Sequence, residues 1–385
     1  MKDTVKSHSV LPPLPSSMNI GEAPSTSRRV RPRSLTHRLL TPSRWCVWMG
    51  LGLLGILVTL IGCLRFGTQP VDLSLMLNIL AGSISEPSQT AALSDPTSVI
   101  LFQVRLPRIL LACLVGGSLS AVGASLQALL RNPLADPFII GISSGAALGA
   151  SVAILFGIGA SMWSLSALPF CAFAGALLSL LIVYRIAATR YGFSMYTLLL
   201  AGVVLNAIFS ALILFLTSVA DPSRAFVMYA WLMGSLTGPD YSTLGILGLY
   251  VLVGLGVLAS QAQPLNILTL GEETARSLGV EVERVKKLVF LASALLTGAV
   301  VAFSGLIGFV GLIVPHAIRL AVSADHRLLV PLAGFTGGMF LMITDTIART
   351  ALSPSEIPVG VITALIGGPI FLYLLIHRHP NQTAS

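Results

Sequence analysis

The sequence predicts an all-α polytopic membrane protein with about ten transmembrane helices. Of its 385 residues, 55% are hydrophobic and 10% are charged, whereas an ordinary soluble domain has about 25% charged residues. Largely uncharged runs of about 18 residues or more recur from about residue 44 almost to the C-terminus. Each is long enough for a helix to cross a hydrocarbon core of roughly 30 Å. A soluble fold is therefore nearly excluded.

The apolar runs, bounded by charges, prolines or glycine clusters, place the predicted membrane helices in chain order. They lie near residues 45–64, 107–130, 138–158, 165–187, 194–217, 242–260, 286–304, 306–321, 328–350 and 357–376. Only the glycines of SGLIGFVG separate 286–304 from 306–321, so the second of these helices is the one expected to be short or broken. Together the runs predict one membrane domain over residues 44–378.

The positive charges orient this domain. With both termini in the cytoplasm, 18 of the 23 Lys and Arg residues lie inside and five outside, as expected from the concentration of these residues in cytoplasmic loops. The net charge of +8 is then a feature of membrane topology and does not indicate nucleic acid. The five outer residues are Arg65, Arg105, Arg108, Arg224 and Arg349. Because they oppose the general bias, they invite a functional explanation.

The chain ends are predicted to be tails. Residues 1–43 are rich in Pro, Ser and Arg without helical periodicity, which is typical of a disordered basic cytoplasmic tail, and residues 379–385 form a short C-terminal tail. A basic leader is also typical of a targeting segment. The run at 45–64 is long for a signal core and lacks a clear cleavage site, which favours a retained first helix. Met18 lies inside the tail and is an alternative start of the chain.

Few residues within the spans carry chemistry. Asp345 and Arg349 are four apart, so on a helix they share a face and are predicted to pair near its outer end, either as a structural or as a functional ion pair. An ion-coupled carrier needs intramembrane ionisable relays, and Gln127 and Asn206 are the other main polar residues in the spans. This scarcity disfavours a secondary carrier.

The sequence lacks the usual catalytic and metal-binding patterns. It contains no G-x-x-x-x-G-K-[ST] phosphate loop, no G-x-S-x-G and no H-E-x-x-H. Its cysteines, in or beside apolar runs, have neither CxxC spacing nor a cluster of His or acidic ligands, which predicts small core hydrophobes; they are Cys46, Cys63, Cys113 and Cys171. We therefore expect no catalytic residue, no metal site, no cofactor and no enzymatic activity.

The one long inner loop, residues 265–285, is predicted to contain a short amphipathic helix that ends at Gly279. Its two sides are predicted to carry Glu272, Glu273 and Arg276 on one, and Leu270, Ala275 and Leu278 on the other. On the cytoplasmic face, such a segment fits a solvated connector and a docking surface equally well.

Eight segments along the chain form a recognisable series. They are RLPR (105–108), QALLRNPLADPFIIGISSGAALGA (127–150), LLLAGVVLN (198–206), WLMGSLTG (231–238), LNILTLGEETARSLGV (265–280), SGLIGFVGLIVPHAIR (304–319), DHR (325–327) and IPVGVITALIGGP (357–369). Together they resemble the permease subunits of bacterial ABC importers for iron–siderophores, haem and cobalamin. The resemblance covers most of residues 45–378. It implies the type II ABC importer permease bundle, with ten helices per subunit.

The resemblance also implies partners. Two copies of the permease enclose a central pathway, two ATPase subunits bind beneath, and a periplasmic or lipid-anchored substrate-binding protein docks above. The inner loop is then a coupling helix, whose ATPase contacts are Leu270, Gly271, Glu272, Glu273, Ala275 and Leu278. Outward-facing arginines of the family pair with acidic side chains of the binding protein, a role that falls on Arg105, Arg108 and Arg349; guanidinium groups suit carboxylates because of their planar fork.

The predicted gate departs from the family pattern. The family places small hydroxyl residues just before LLLAGV, where this chain has Met195 and Tyr196, with Ser194 and Thr197 alongside. Asn206, in the same predicted helix, either faces the pathway or makes a structural hydrogen bond between helices.

The resemblance predicts a permease that moves an iron(III)–siderophore type chelate across the inner membrane, with ATP hydrolysed by a separate partner subunit. Cobalamin and haem are the alternative cargoes. An ion-coupled secondary carrier, and a receptor or scaffold without transport activity, are the competing functions.

Overall fold

The computed structural model describes residues 41–67, 96–158, 167–189, 192–236 and 239–376. The predicted tails lie outside these ranges, apart from residues 41–43. Within the described chain, seven helices are long and apolar enough to cross a membrane, and three shorter apolar helices accompany them. Each of the ten predicted spans corresponds to one of these helices, which confirms the fold class.

We number the ten apolar helices in chain order. They are α1 (Pro42–Arg65), α2 (Leu106–Leu129), α3 (Ile142–Phe156), α4 (Ala167–Ala187), α5 (Met195–Val219), α6 (Tyr241–Ser260), α7 (Val282–Ser304), α8 (Val310–Ala321), α9 (His326–Thr350) and α10 (Val359–Ile376). Shorter helical segments are Pro96–Val99, the π-helical Ile100–Arg105, the 3-10 helix Pro137–Ile140, Pro222–Leu232, Ala262–Leu268 and Glu272–Ser277. Strands β1 (Ala188–Thr189) and β2 (Gly192–Phe193) pair antiparallel between α4 and α5.

Polar side chains begin several of these helices. A Thr, Ser or Asp just before an apolar run accepts a hydrogen bond from a backbone N–H of the first turn. These caps are Thr41 before α1, Ser194 before α5, Asp240 before α6 and Asp325 before α9. They explain why the helices begin within a few residues of the predicted starts.

Helices α2 and α9 form the centre of the bundle and make its most extensive helix–helix contact. Gly116 of α2 and Gly337 of α9 face each other so closely that a Cβ on either would overlap the carbonyl oxygen of the other. In lipid, where apolar burial gives little drive between helices, such contact provides van der Waals packing. Glycine at these two positions therefore serves packing.

Helix α8 is short, as expected. Helix α7 ends at Ser304, and residues 305–309 are not helical before α8 begins at Val310. With 12 residues, α8 is about 18 Å long, which is less than a hydrocarbon core of roughly 30 Å. Val310 is fully buried, so the N-terminus of α8 lies inside the bundle.

Candidate docking and transport sites

The inner loop folds as two short helices, Ala262–Leu268 and Glu272–Ser277. Gly279, with φ +82°, ends the second helix, and the N–H of Val280 donates to the Ala275 carbonyl at 2.9 Å. This is the Schellman arrangement, in which the left-handed backbone favours glycine. The predicted glycine stop is confirmed.

Lys286 of α7 anchors the loop from beneath. Its Nζ lies 2.6 Å from Glu272 Oε2 and 3.3 Å from Glu283 Oε1, and its side chain is only 6% exposed. Glu283 also accepts a hydrogen bond of 2.6 Å from the Phe193 N–H. A buried cation is stable only with such partners. Glu272 therefore holds the loop against α7.

The loop exposes two leucines. Leu270 is 66% and Leu278 60% exposed, Glu273 is exposed, and Ala275 is fully buried. The prediction that Leu270, Ala275 and Leu278 share one side of the helix is therefore wrong. The two leucines lie just outside Glu272–Ser277, so the helical period does not govern their direction.

A hydrogen-bonded network that the sequence did not predict links the loop to α9. Asn266 Nδ2 donates to Asp325 Oδ1 at 2.7 Å, and Asn266 Oδ1 accepts from the His326 N–H at 2.8 Å. His326 Nδ1 lies 2.7 Å from the same oxygen, which assigns a hydrogen to Nδ1 because an amide oxygen only accepts. Trp45 of α1 donates to the Arg327 carbonyl at 3.2 Å. Asn266 and His326 are 60 residues apart, so local spacing gives no signal for this contact.

Asp345, near the C-terminus of α9, binds two arginines. They are Arg108 near the N-terminus of α2 and Arg349 in the last turn of α9. The side chain of Asp345 is fully buried, with Oδ1 3.0 Å from Arg108 Nε and Oδ2 3.0 Å from Arg349 Nε. The Asp345–Arg349 pair predicted from their spacing is confirmed. Glu356 Oε2 lies 2.8 Å from Arg108 Nη1 and is about half exposed. Two carboxylates thus balance two guanidinium groups in this outer cluster, which comprises Arg108, Asp345, Arg349 and Glu356.

The three arginines predicted to dock a binding protein differ in accessibility. Arg105 and Arg349 are buried, and the side chain of Arg108 is 13% exposed. Arg105 Nη1 donates to the Leu64 carbonyl at 3.0 Å, which fastens the end of α1. Within this chain, all three guanidinium groups already have partners.

The predicted gate residues lie along α5. Tyr196 is strongly exposed and Met195 is partly buried at its first turn. Asn206 Nδ2 donates to the Phe138 carbonyl at 3.0 Å, and its Oδ1 accepts from Ser144 Oγ at 2.6 Å. Asn206 also lines a cavity of about 500 Å³. The structural hydrogen bond considered for Asn206 is therefore present, and the side chain borders open space as well.

The described residues contain no group of three or more His, Cys, Asp or Glu side chains placed to hold a metal ion. All four cysteines are free; Cys63 is buried, whereas Cys46 on α1 is exposed. The prediction of a core cysteine is thus wrong for Cys46, because α1 packs little of its surface against the rest of the chain.

Within the described residues, ten apolar helices with a structured loop at one end and a balanced charge cluster at the other define a polytopic helical membrane protein. The family model described as the FecCD transport family matches residues 54–377. The chain belongs to the FecCD transport family.

Relatives and a solved structure agree with this assignment. The chain is 44% identical over 308 residues to the cobalamin import system permease protein BtuC of Halobacterium salinarum, covering 78% of this chain and 82% of the relative. It is 39% identical over 335 residues to the hemin transport system permease protein HmuU of Yersinia pestis, covering 86% and 97%. A solved structure described as an inward-facing metal-chelate type ABC transporter aligns with TM-score 0.72 and 33% identity over 86% of this chain and 99% of that chain.

These similarities confirm the resemblance seen in the sequence. The chain is an ABC importer permease with a multi-pass helical membrane fold. Its relatives are transport permease subunits, which are not themselves enzymes. Membership of the family implies ATPase and substrate-binding partners.

Proposed function

We propose that this permease carries an iron(III)–siderophore type chelate across the inner membrane, driven by partner ATPase subunits. Cobalamin or haem is the alternative cargo, and relatives named above are cobalamin and hemin permeases. Two copies of the chain enclose the pathway, and both termini lie in the cytoplasm. The observation that carries the proposal is the inner loop, which presents Leu270 and Leu278 to solvent on a scaffold fixed by Lys286.

The exposed leucines favour a docking surface over a solvated connector. Burying a leucine side chain against a partner gains roughly 1.5–3 kcal/mol. Leu270, Gly271, Glu273 and Leu278 form the contact surface for the ATPase in this proposal. Glu272 and Ala275 support it from within, because Glu272 binds Lys286 and Ala275 is buried.

The outer cluster supports a docking role centred on Arg108. Its Nη1 pairs with the surface carboxylate of Glu356, and an acidic side chain of a binding protein would take the place of Glu356. In this proposal the two buried arginines support Arg108 without touching the partner. Arg349 binds Asp345, and Arg105 holds the end of α1. Rim charges of this kind raise the association rate of complementary partners.

The ion pairs disfavour Asp345 as the coupling carboxylate of an ion-coupled carrier. Such a carrier needs an intramembrane carboxylate that binds and releases its ion. Asp345 is fully buried and lies 3.0 Å from each of two arginine Nε atoms. A proton or cation would have to compete with both guanidinium groups.

Reconstitution tests the function. The purified chain, placed in liposomes with its ATPase and binding protein, is expected to import a chelate only with ATP. Leu270→Glu combined with Leu278→Glu should abolish co-purification of the ATPase. Arg284→Ala, at an exposed position of the same loop region, serves as the matched control and should leave co-purification intact. Uptake on an ion gradient without any ATPase would overturn the proposal.

Competition identifies the cargo. Labelled ferric siderophore uptake is measured against excess hemin or cobalamin in the same liposomes. We expect the siderophore to be imported and neither competitor to block it. Import of cobalamin or hemin alone would replace the siderophore as cargo and leave the ATP-driven permease function unchanged.

A further inference from the structure

Two irregular segments border an open cavity at the surface of the bundle. One is the 3-10 helix Pro137–Ile140 between α2 and α3, and the other is residues 305–309 between α7 and α8. The cavity of about 500 Å³ is bordered by both segments and by α5 and α10; its lining includes Leu134, Asp136, Phe138, Asn206, Phe309 and Phe371.

From the helix lengths we expect this cavity to lie within the membrane. Helix α3 has 15 residues and α8 has 12, so they are about 22 Å and 18 Å long. Both are shorter than a hydrocarbon core of roughly 30 Å, and the irregular segments complete their crossings. Non-helical backbone is tolerated at membrane depth where protein buries it or where it lines a water-filled cavity.

The walls of the cavity are held in fixed conformations. Phe309 has φ +70°, a left-handed backbone that costs free energy in a non-glycine residue and persists where the surroundings enforce it, often at functional sites. Gly367 of α10 packs directly on Phe309, since a Cβ on Gly367 would lie 2.6 Å from the Phe309 Cβ. Phe309 therefore packs against α10 at the start of α8.

Asp136 is the only carboxylate among the residues that line this cavity. Its Oδ1 accepts a hydrogen bond of 2.8 Å from the Phe138 N–H, while its Oδ2 has no donor among the described residues. Asn206 binds the Phe138 carbonyl and so fixes the segment that carries Asp136. One carboxylate oxygen is thus available in an open cavity whose lining is otherwise largely apolar.

We infer that this cavity is a transient cargo subsite, in which the Asp136 carboxylate accepts hydrogen bonds from amide, hydroxyl or ammonium groups of the chelate and disfavours anionic groups. The inference rests on the proposed import function and adds a chemical preference to it. Ionisable groups at membrane depth mark substrate pathways, and the phenylalanines offer apolar contact to the rest of the chelate. A single strong polar contact keeps the binding weak enough for release. Asn206 is a positioning residue.

Charge-selective labelling tests the electrostatics. In the full chain with its native cysteines replaced, Leu134→Cys is reacted with a cationic and an anionic methanethiosulfonate reagent of similar size. We expect the cation to react faster, and Asp136→Asn to lower the cation-to-anion rate ratio by about threefold or more. Asparagine keeps the oxygen that caps the Phe138 N–H, so the fold is preserved.

Two further variants sharpen this measurement. Asp240→Asn is the matched control, since Asp240 also caps a helix but lies exposed outside the cavity. Hydrogen bonds from Ser242 and Thr243 lower the pKa of Asp240 to about 2, so this control also removes a full charge and should leave the ratio unchanged. Asn206→Ala should lower the ratio part of the way, an effect that a loss of folded protein does not produce. An unchanged ratio in Asp136→Asn overturns the inference.

Uptake tests the cargo role. A ferric siderophore that carries a free ammonium group and one that carries a free carboxylate are each offered to liposomes containing the ATPase and a binding protein for that siderophore. Asp136→Asn is expected to raise the uptake of the carboxylate siderophore relative to the ammonium siderophore roughly tenfold, the effect of one charge-assisted hydrogen bond. A changed labelling ratio with an unchanged uptake ratio overturns the subsite. If the wild-type chain imports neither siderophore, the proposed import function fails, and the labelling result still reports the charge of the cavity.

Discussion

The outer cluster and the inner loop differ in what they present to a partner: the first presents charges that are already paired, and the second presents exposed apolar side chains. In the outer cluster, Arg108 and Arg349 are neutralised by Asp345 and Glu356 of the same chain. In the inner loop, Lys286 binds the acidic groups internally while Leu270 and Leu278 remain exposed. Where the charges are already paired within the chain, a partner protein can bind by replacing one member of an ion pair. Where apolar side chains are exposed, a partner protein can bind by burying them.

The largest expected loss of stability follows from removing Asp345 from the outer cluster. Asp345→Ala leaves two arginines without their buried counter-charge, so we expect the free energy of unfolding to fall by about 3–5 kcal/mol. Denaturant unfolding of the detergent-solubilised chain measures it. Arg284→Ala, which removes an exposed ion pair, provides the comparison, and an equal loss in both variants would contradict the structural weight placed on Asp345.

The next largest loss of stability is expected when Lys286, which anchors the inner loop, is replaced. Lys286→Met should cost about 1–3 kcal/mol, between the values for buried and surface pairs, because Glu272 and Glu283 are partly exposed. It should also weaken ATPase co-purification, since the loop loses its support. Lys287→Met, at the exposed neighbouring position, should change neither; full ATPase binding by the Lys286 variant would show that the anchor is dispensable.

A smaller loss of stability is expected when the glycine that ends helix Glu272–Ser277 is replaced. Gly279→Ala should destabilise the chain by about 1 kcal/mol, the cost of a left-handed backbone for a residue with a Cβ. A Cβ on Gly279 meets open space, so backbone conformation alone is measured. Gly256→Ala in α6 also meets open space and should be neutral or stabilising. Identical unfolding midpoints for the two variants would contradict this assignment.

The smallest expected loss of stability comes from a variant that tests whether an acidic side chain of the binding protein replaces Glu356 in the outer cluster. Glu356→Gln removes an ion pair whose acidic partner is half exposed, and Arg108 keeps Asp345 as a partner, so the change should cost about 1 kcal/mol. It also releases Arg108, so affinity for the binding protein at low salt is expected to rise. Weaker binding would instead place Glu356 itself in the interface. Reversing Arg105 or Arg349 tests docking less cleanly, since both are buried.

Local signals predicted the helices well. Apolar runs predicted the seven membrane-length helices and the three shorter apolar helices of the described residues. The four-residue spacing predicted the Asp345–Arg349 pair, and Gly279 predicted the end of the loop helix. Each of these features depends on residues close together in the chain, so helix geometry and turn chemistry suffice to predict it.

Contacts between distant segments were not predictable in the same way. Arg108 and Glu356 are 248 residues apart, and no periodicity relates them. The accessibility of Arg108 depends on Glu356 and Asp345, whereas Arg105 contacts the end of α1. Asp136 carried no signal as a pathway residue, because the segment that bears it reads as an ordinary loop with two prolines.

The contact of Gly116 with Gly337 has a consequence for how the protein moves. Separating α2 from α9 would break the most extensive helix–helix contact of the described chain, so we expect these two helices to move as one body. Backbone amides at this contact should be among the last in the chain to exchange with deuterium. Motion during a transport cycle then belongs to the helices packed around this pair.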